Sequence, residues 1–298
     1  MFWKDLDHVR AALEDQHYIS NTEIDMSLFL ASSLEKPILI EGPPGVGKTE
    51  IAKVLAEIFQ TELIRLQCYE GLGAEHAIYE WNYQRQLLAL RLIDEKSLSL
   101  DEKESIIFDE KYLLKRPLLQ SITATKSPVL LLDEVDRSDE EFESFLLEIL
   151  SDWQVTIPEL GSIKATHKPH VIITSNRTRE LSEALRRRCL YLYIDYPNFD
   201  KELSIIHKKL PHINRQLSEQ ICLFMQEIRT LKLNKTPSVS ETIDWAFSLS
   251  EMHYDHIDKS VIESTLGIIL KDWKDIRKSQ DALSELLDRV GVIQKLPS

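Results

Sequence analysis

The segment Gly42-Pro43-Pro44-Gly45-Val46-Gly47-Lys48-Thr49 holds three of the chain's eight glycines within six residues, followed at once by a lysine and a threonine. Glycines at that spacing let successive backbone N–H groups wrap an anion that any Cβ would keep at a distance. Lys48 is then placed to neutralise the β- and γ-phosphates of a nucleotide, and Thr49 to offer its hydroxyl to Mg²⁺. Glu50 follows directly and completes the expected nucleotide-contacting stretch, residues 42–50. ATP and Mg²⁺ are the ligands this pattern predicts. Downstream, Val129-Leu130-Leu131-Leu132 runs into Asp133-Glu134, an apolar strand ending in paired carboxylates. Such a pair at a strand tip can divide its labour: Asp133 joins Thr49 in the magnesium shell, and Glu134 polarises the attacking water.

Two further positions complete the set. Val171-Ile172-Ile173-Thr174 leads into Ser175-Asn176, so an amide sits at a strand tip where it could orient the lytic water. The run Arg186-Arg187-Arg188-Cys189 closes a short helical pattern just before another apolar stretch. By itself it reads as a solvated charge run.

Positioning these groups requires a sheet. Short apolar runs recur at 38–41, 62–66, 129–132, 171–174 and 190–194, each followed by turn residues or a helical pattern. Continuous apolar runs of that length are buried parallel strands, and their alternation with helices predicts a doubly wound α/β layer. Ser138 and Glu141 have capping-box spacing ahead of Phe142, Phe145, Leu146, Ile149 and Leu150. After Tyr196-Pro197 the strand signals stop. Helices are expected near 199–209, 216–232, 240–252, 260–274 and 279–290, which divides the chain into an α/β domain, 1–197, and a helical domain, 198–298. Two stretches exceed a minimal layer. Residues 67–115, with Tyr79, Trp81 and Tyr83 before a helix at 84–93, predict an inserted helical element; residues 154–166 alternate around Pro158 and Gly161 as a hairpin.

Composition narrows the classes. The formal charge of −13 argues against broad affinity for a phosphate backbone. Three cysteines, Cys68, Cys189 and Cys222, without C-x-x-C spacing suggest neither a disulfide framework nor a zinc site. The charged N-terminus has no apolar h-region, and no run approaches the ~18 apolar residues of a membrane span, so a cytoplasmic protein is expected.

At this point the sequence resembles the AAA+ ATPases along its whole length, because the phosphate loop, Asp133-Glu134, Asn176 and the triple arginine occur in that family's order ahead of a helical segment. The resemblance implies an AAA+ P-loop core with a five-stranded parallel sheet, a helix-2 insert and a hairpin before the sensor strand, followed by an all-α lid. It implies that Asn176 serves as the sensor and that Arg188, with Arg187 second, reaches a neighbouring subunit's γ-phosphate, so that a homo-oligomer, a hexameric ring, is the working unit. Four strings narrow the resemblance to the MoxR group and its CoxD-like branch: Tyr79–Leu88, Arg116-Pro117-Leu118-Leu119, Gln154–Gly161 and Pro237–Trp245. That branch implies a chaperone acting with a von Willebrand factor A (VWA) partner that carries a metal-ion-dependent adhesion site (MIDAS), on a metalloenzyme client such as a molybdenum hydroxylase. Many relatives place an arginine at the start of the lid's third helix. Residues 238–242 have none, and Lys235 is the nearest cation. A DNA-directed AAA+ motor or loader is the competing reading; the arginine run is compatible with it, and the net charge opposes it.

Overall fold

The computed structural model describes residues 2–93 and 99–290. The chain divides into two compact units, Met1–Gly42 with Lys48–Tyr193, and Pro43–Gly47 with Ile194–Ser298.

The first unit opens with two helices, α1 (Leu6–Asp15) and α2 (Thr22–Leu34), started by the side chains of Asp5 and Asn21, which accept the orphan N–H groups of His8 and Ile24. Then comes β1 (Ile38–Glu41), whose four residues are all buried. The glycine loop follows, and α3 (Lys48–Phe59) turns Ile51, Ala52, Val54 and Leu55 inward. Next are β2 (Leu63–Gln67), α4 (Ala74–Ala77), β3 (Tyr79–Trp81), α5 (Tyr83–Ile93), α6 (Leu100–Ile107), β4 (Leu113–Lys115) and α7 (Pro117–Ile122). The unit continues through β5 (Val129–Asp133), α8 (Glu140–Asp152), the pair β6 (Gln154–Ile157) and β7 (Gly161–Lys164), β8 (His170–Ser175), α9 (Glu183–Arg188) and β9 (Leu190–Tyr193).

The five apolar runs become one parallel sheet in the order β2-β5-β8-β1-β9. Register places Glu41 beside Ser175 and Tyr193, and Gln67 beside Asp133, so every strand delivers its carboxyl end to the same edge. Leu130, Leu132, Ile173 and Leu39 lie in one core with Phe142, Leu146 and Leu119. On the opposite face Ile38, Ile40, Leu131 and Ile172 are equally buried, so the central strands β5, β8 and β1 are covered on both faces and carry continuous apolar runs, whereas the edge strands β2 and β9 alternate and expose Arg65, Gln67, Tyr191 and Tyr193.

Three expectations are corrected. The cap of α8 is Asp139, whose Oδ1 accepts from Phe142 N at 2.8 Å; Ser138 instead closes the preceding turn by donating to Val135 O. With the Ser138 hydroxyl committed to Val135 O, the comparable cap one residue later starts the helix. The insert is not purely helical, because β3 and β4 pair as a small antiparallel sheet with Trp81 opposite Leu113. The third correction lies in the second unit.

That unit holds α10 (Phe199–Lys209), α11 (Arg215–Thr230), α12 (Val239–Glu251), α13 (Lys259–Ile269), α14 (Trp273–Asp281) and α15 (Leu283–Val290). The helix expected at 260–274 ends at Ile269; after an extended Leu270, Asp272 caps a new helix by accepting from Lys274 N and Asp275 N. Phe224 and Trp245 centre the core, their rings 5.4 Å apart, with Trp245 Nε1 donating to Thr265 Oγ1. Glu202 is fully buried here. It accepts from both terminal nitrogens of Arg229 at 2.7 and 2.6 Å, from Gln226 at 2.7 Å and from Thr242 at 2.7 Å, tying α10, α11 and α12 together. Asp275, also buried, accepts the backbone N–H groups of Asn234 and Lys235 at 2.8 and 2.9 Å. Among the described residues no helix is long and apolar enough to cross a membrane.

Removing one partner of a buried ion pair strands the other charge. Arg229→Ala is expected to destabilise the helical unit by about 3–5 kcal/mol, read as a lowered denaturation midpoint in urea. A change under about 0.5 kcal/mol, the size of an ordinary surface substitution, would refute the role given to this network.

Candidate nucleotide-binding and hydrolysis site

The glycine loop leaves β1 at Gly42, whose N–H donates to Ser175 O at 3.3 Å. Gly45 and Gly47 have φ of +71° and +94°, a region that L residues with a Cβ avoid, and the space a Cβ would take at Gly47 is empty to 4 Å. Lys48, the first residue of α3, is buried, and its Nζ donates to Gly42 O and to Asn176 Oδ1, both at 2.8 Å. Burial pulls the Lys48 ammonium down to about 8, opposed by the nearby charges of Asp136, Asp133 and Glu134. A phosphate arriving beside it would favour the charged form again.

β5 delivers Asp133 to the same edge at 3% exposure. Its Oδ1 accepts from Thr49 Oγ1 at 3.1 Å and from Thr174 Oγ1 at 2.5 Å; its Oδ2 accepts from Arg65 Nη2 at 2.5 Å. The chain then turns sharply through Glu134, which has φ +56°, an uncommon conformation for a residue other than glycine. Its backbone N–H donates to Thr174 Oγ1 at 2.9 Å, so a single threonine hydroxyl serves both residues of the pair. The Glu134 carboxylate is gripped on both oxygens: Oε1 accepts from Asn176 Nδ2 at 3.2 Å, and Oε2 from Gln67 Nε2 at 3.0 Å with Arg137 Nε at 3.2 Å.

A continuous chain of polar contacts therefore runs Lys48–Asn176–Glu134, beside the pair Thr49–Asp133. Thr49 and Asp133 are hard oxygen donors within 3.1 Å of each other, which suits an ion that completes its shell with phosphate and water oxygens. Among the described residues no group of three His, Cys, Asp or Glu side chains is placed to hold a metal alone.

Of the residues singled out in the sequence, Lys48, Thr49, Asp133, Glu134 and Asn176 meet here. Glu50 is half-buried on α3 and pairs with Lys53. The three arginines of α9 diverge. Arg186 Nη2 lies 3.6 Å from Glu41 Oε2, Arg187 pairs with Glu183, and Arg188 donates from Nε to Ser151 Oγ at 2.8 Å. Neither Arg187 nor Arg188 is bonded to the Asp133–Glu134 pair. Lys235 is exposed on the loop anchored by Asp275.

Four participants escaped the sequence reading. Arg65 and Gln67 alternate with buried Ile64 and Leu66 along β2, a polar face on an otherwise buried strand that could have flagged them. Thr174 read only as part of an apolar run. Asp136 is 3% exposed; it accepts from Asn176 N at 3.1 Å, Thr178 N at 2.8 Å and Thr178 Oγ1 at 2.7 Å, and so fixes the turn that carries Asn176.

A parallel sheet with this strand order, carrying a glycine loop, an aspartate–glutamate tip and a neighbouring asparagine at one edge, defines a nucleotide-hydrolysing P-loop enzyme of the AAA+ class, with a helical lid following the core. The chain belongs to the family described as AAA domain (dynein-related subfamily), whose model matches residues 37–189. Two similar sequences are Uncharacterized protein SAB1265c of Staphylococcus aureus (strain bovine RF122 / ET3-1) and Uncharacterized protein SAOUHSC_01413 of strain NCTC 8325 / PS 47. Each is 27% identical over 215 residues, covering 70% of this chain and 73% of the relative. Among solved structures, a point mutant of Thermotoga maritima RuvB aligns with a TM-score of 0.50 at 18% identity, covering 97% of this chain and 83% of that one. This last likeness is one of fold alone.

Because Asp136 touches the backbone that presents Asn176, Asp136→Asn, which sets an amide against those donors, is expected to displace Asn176. Turnover should fall by up to about 10²-fold. Nucleotide affinity, read by a fluorescent ATP analogue, should change less than about threefold, a small free-energy difference. Unchanged turnover would show that the Asn176 turn holds itself.

Proposed function

We propose that this protein is a Mg²⁺-dependent ATPase of the MoxR type that works as a homo-oligomeric ring and remodels or matures a protein client. The observation that carries the hydrolytic reading is the Lys48–Asn176–Glu134 chain beside Thr49 and Asp133. The loop of residues 42–47, through the backbone N–H groups of its non-proline residues, and the Lys48 ammonium would hold the phosphates, with Pro43 and Pro44 shaping the loop and Glu50 at the start of α3 close by. Thr49 and Asp133 would hold magnesium, which when bound neutralises charge on the phosphate oxygens. Glu134 accepts a proton from the attacking water, and Asn176, held by Lys48 on one side and Glu134 on the other, fixes where that carboxylate points. Gln67 and Arg137 compete for the second oxygen of Glu134 and so restrain it. Arg188, with Arg187 second, would act on the phosphates of a neighbouring copy. Such a residue is worth ~10³ to 10⁵ in turnover in related nucleotidases.

The MoxR reading, and within it the CoxD-like branch, rests on the four sequence strings; two of them fall on the β3/α5 insert around Tyr79–Leu88 and on the β6–β7 hairpin at Gln154–Gly161. A VWA-domain partner with an adhesion-site metal, and a metalloenzyme client, follow from that reading alone.

Glu134→Gln should retain ATP and lose turnover, and a variant hydrolysing like the parent would remove Glu134 from the water-activating role. Arg188→Ala should bind ATP yet fail to hydrolyse it, and mixing it with Lys48→Ala should restore activity at mixed interfaces. Fluorescence anisotropy with duplex and single-stranded DNA at low salt addresses the client. Tight, salt-sensitive binding would replace the chaperone reading with a DNA-directed motor.

A further inference from the structure

Glu41 is the last residue of β1, peptide-bonded to the first glycine of the phosphate loop, and the hydrolytic reading does not use it. It is 3% exposed. A buried carboxylate one residue from a phosphate site is repulsive to the ligand unless neutralised, so its partners have to be accounted for. Tyr191 Oη donates to Glu41 Oε2 at 3.0 Å. Two guanidinium groups face the same oxygen at 3.6 Å: Arg177, the residue after Asn176, and Arg186 on α9. Arg186 also lies 5.7 Å over the Tyr191 ring, so β1 and β9 hold it together.

The helix that carries Arg186 is held at its start by Ser182 N donating to Glu143 and at its end by Arg188 and by the entry into β9. α9 is six residues long, shorter than a helix that is stable by itself, and Leu185 is its one buried side chain. With one apolar anchor within the helix, its rotation is set by polar contacts, Arg186 with Glu41 on one side and Arg188 with Ser151 on the other. Residues 186 and 188 project about 200° apart, so Glu41 pulling on Arg186 turns Arg188 to the opposite side, where it meets Ser151. Arg187, exposed at the surface, is set by the same rotation.

We propose that Glu41 is a positioning residue that, by holding Arg186, fixes the rotation of α9 and thereby the placement of the arginine this helix offers to a neighbouring copy. The proposal rests on the reading that α9 acts in trans. It ties β1, the strand from which the phosphate loop of one subunit departs, to the arginine supplied to the next.

The test uses mixed oligomers of the full chain. Arg188→Ala subunits, which keep their own site, are titrated with donor subunits carrying Lys48→Ala, whose own site is dead but whose α9 is intact. The comparison donors add either Glu41→Gln or Arg186→Gln to Lys48→Ala. Since a donor hydrolyses nothing itself, any effect of the second change passes through the arginine it lends. We expect the maximal ATPase rate over all mixing ratios to fall by about 10-fold or more with either comparison donor. A donor that merely folds or assembles less well would reach the same maximum at a higher donor ratio, and that outcome, like an unchanged titration, would overturn the proposal. If the Glu41→Gln donor does not fold, the Arg186→Gln donor decides, since that side chain is 41% exposed. No rescue with Lys48→Ala alone would overturn the trans reading, and the proposal with it.

Discussion

Burying a carboxylate is costly unless hydrogen bonds and opposite charges surround it, and the carboxyl edge of this sheet buries three: Glu41, Asp133 and Asp136. Each dictates what lies around it. Asp133 draws Thr49, Thr174 and Arg65 onto its two oxygens, which fixes the start of α3 against the tips of β5, β8 and β2. Asp136 gathers the backbone after β8 and with it Asn176. Glu41 gathers Tyr191 from β9, Arg186 from α9 and Arg177 from the chain after β8. The apolar strands fix where the edge is; the buried charges fix which side chains meet there and at what angle.

The scaffold was largely legible because strands in the middle of a parallel sheet leave continuous apolar runs, and these together with the two alternating edge runs became the five strands of one sheet. The hairpin was legible from Pro158 and Gly161. What escaped was either too short or too distant. Strands β3 and β4 have three residues each, less than two periods of alternation, and they are separated by two helices in sequence. Ser138 and Asp139 are both good caps, and spacing alone does not choose between neighbours. In the site, the glycine loop and the Asp133-Glu134 tip were visible as contiguous strings. Arg65, Gln67, Thr174 and Asp136 were not, since their importance comes from register: Gln67 pairs with Asp133 across strands 66 positions apart in sequence. The run of three arginines showed its charge in the sequence but not its geometry, in which three neighbours point at three different partners.

The helical unit solves its own burial problem in a similar manner. Glu202 is enclosed by donors from two other helices, and Arg229 is spent on that pair while also donating to Pro237 O ahead of α12. The cation nearest to the start of α12 in the interior is thus committed to structure. Lys235, whose backbone is pinned by Asp275, keeps its side chain in solvent.

Glu134 occupies a backbone conformation that glycine adopts freely and that costs other residues of order 1–3 kcal/mol. Replacing it by glycine would therefore relax the native chain at that position, offset by the extra freedom glycine brings to the unfolded chain. The position pits folding against chemistry: the side chain that grips Asn176 and Gln67 is kept where the backbone would rather have none. Screens that select for thermal resistance alone would drift toward losing it, and a stabilised variant of this protein should be examined first at residue 134.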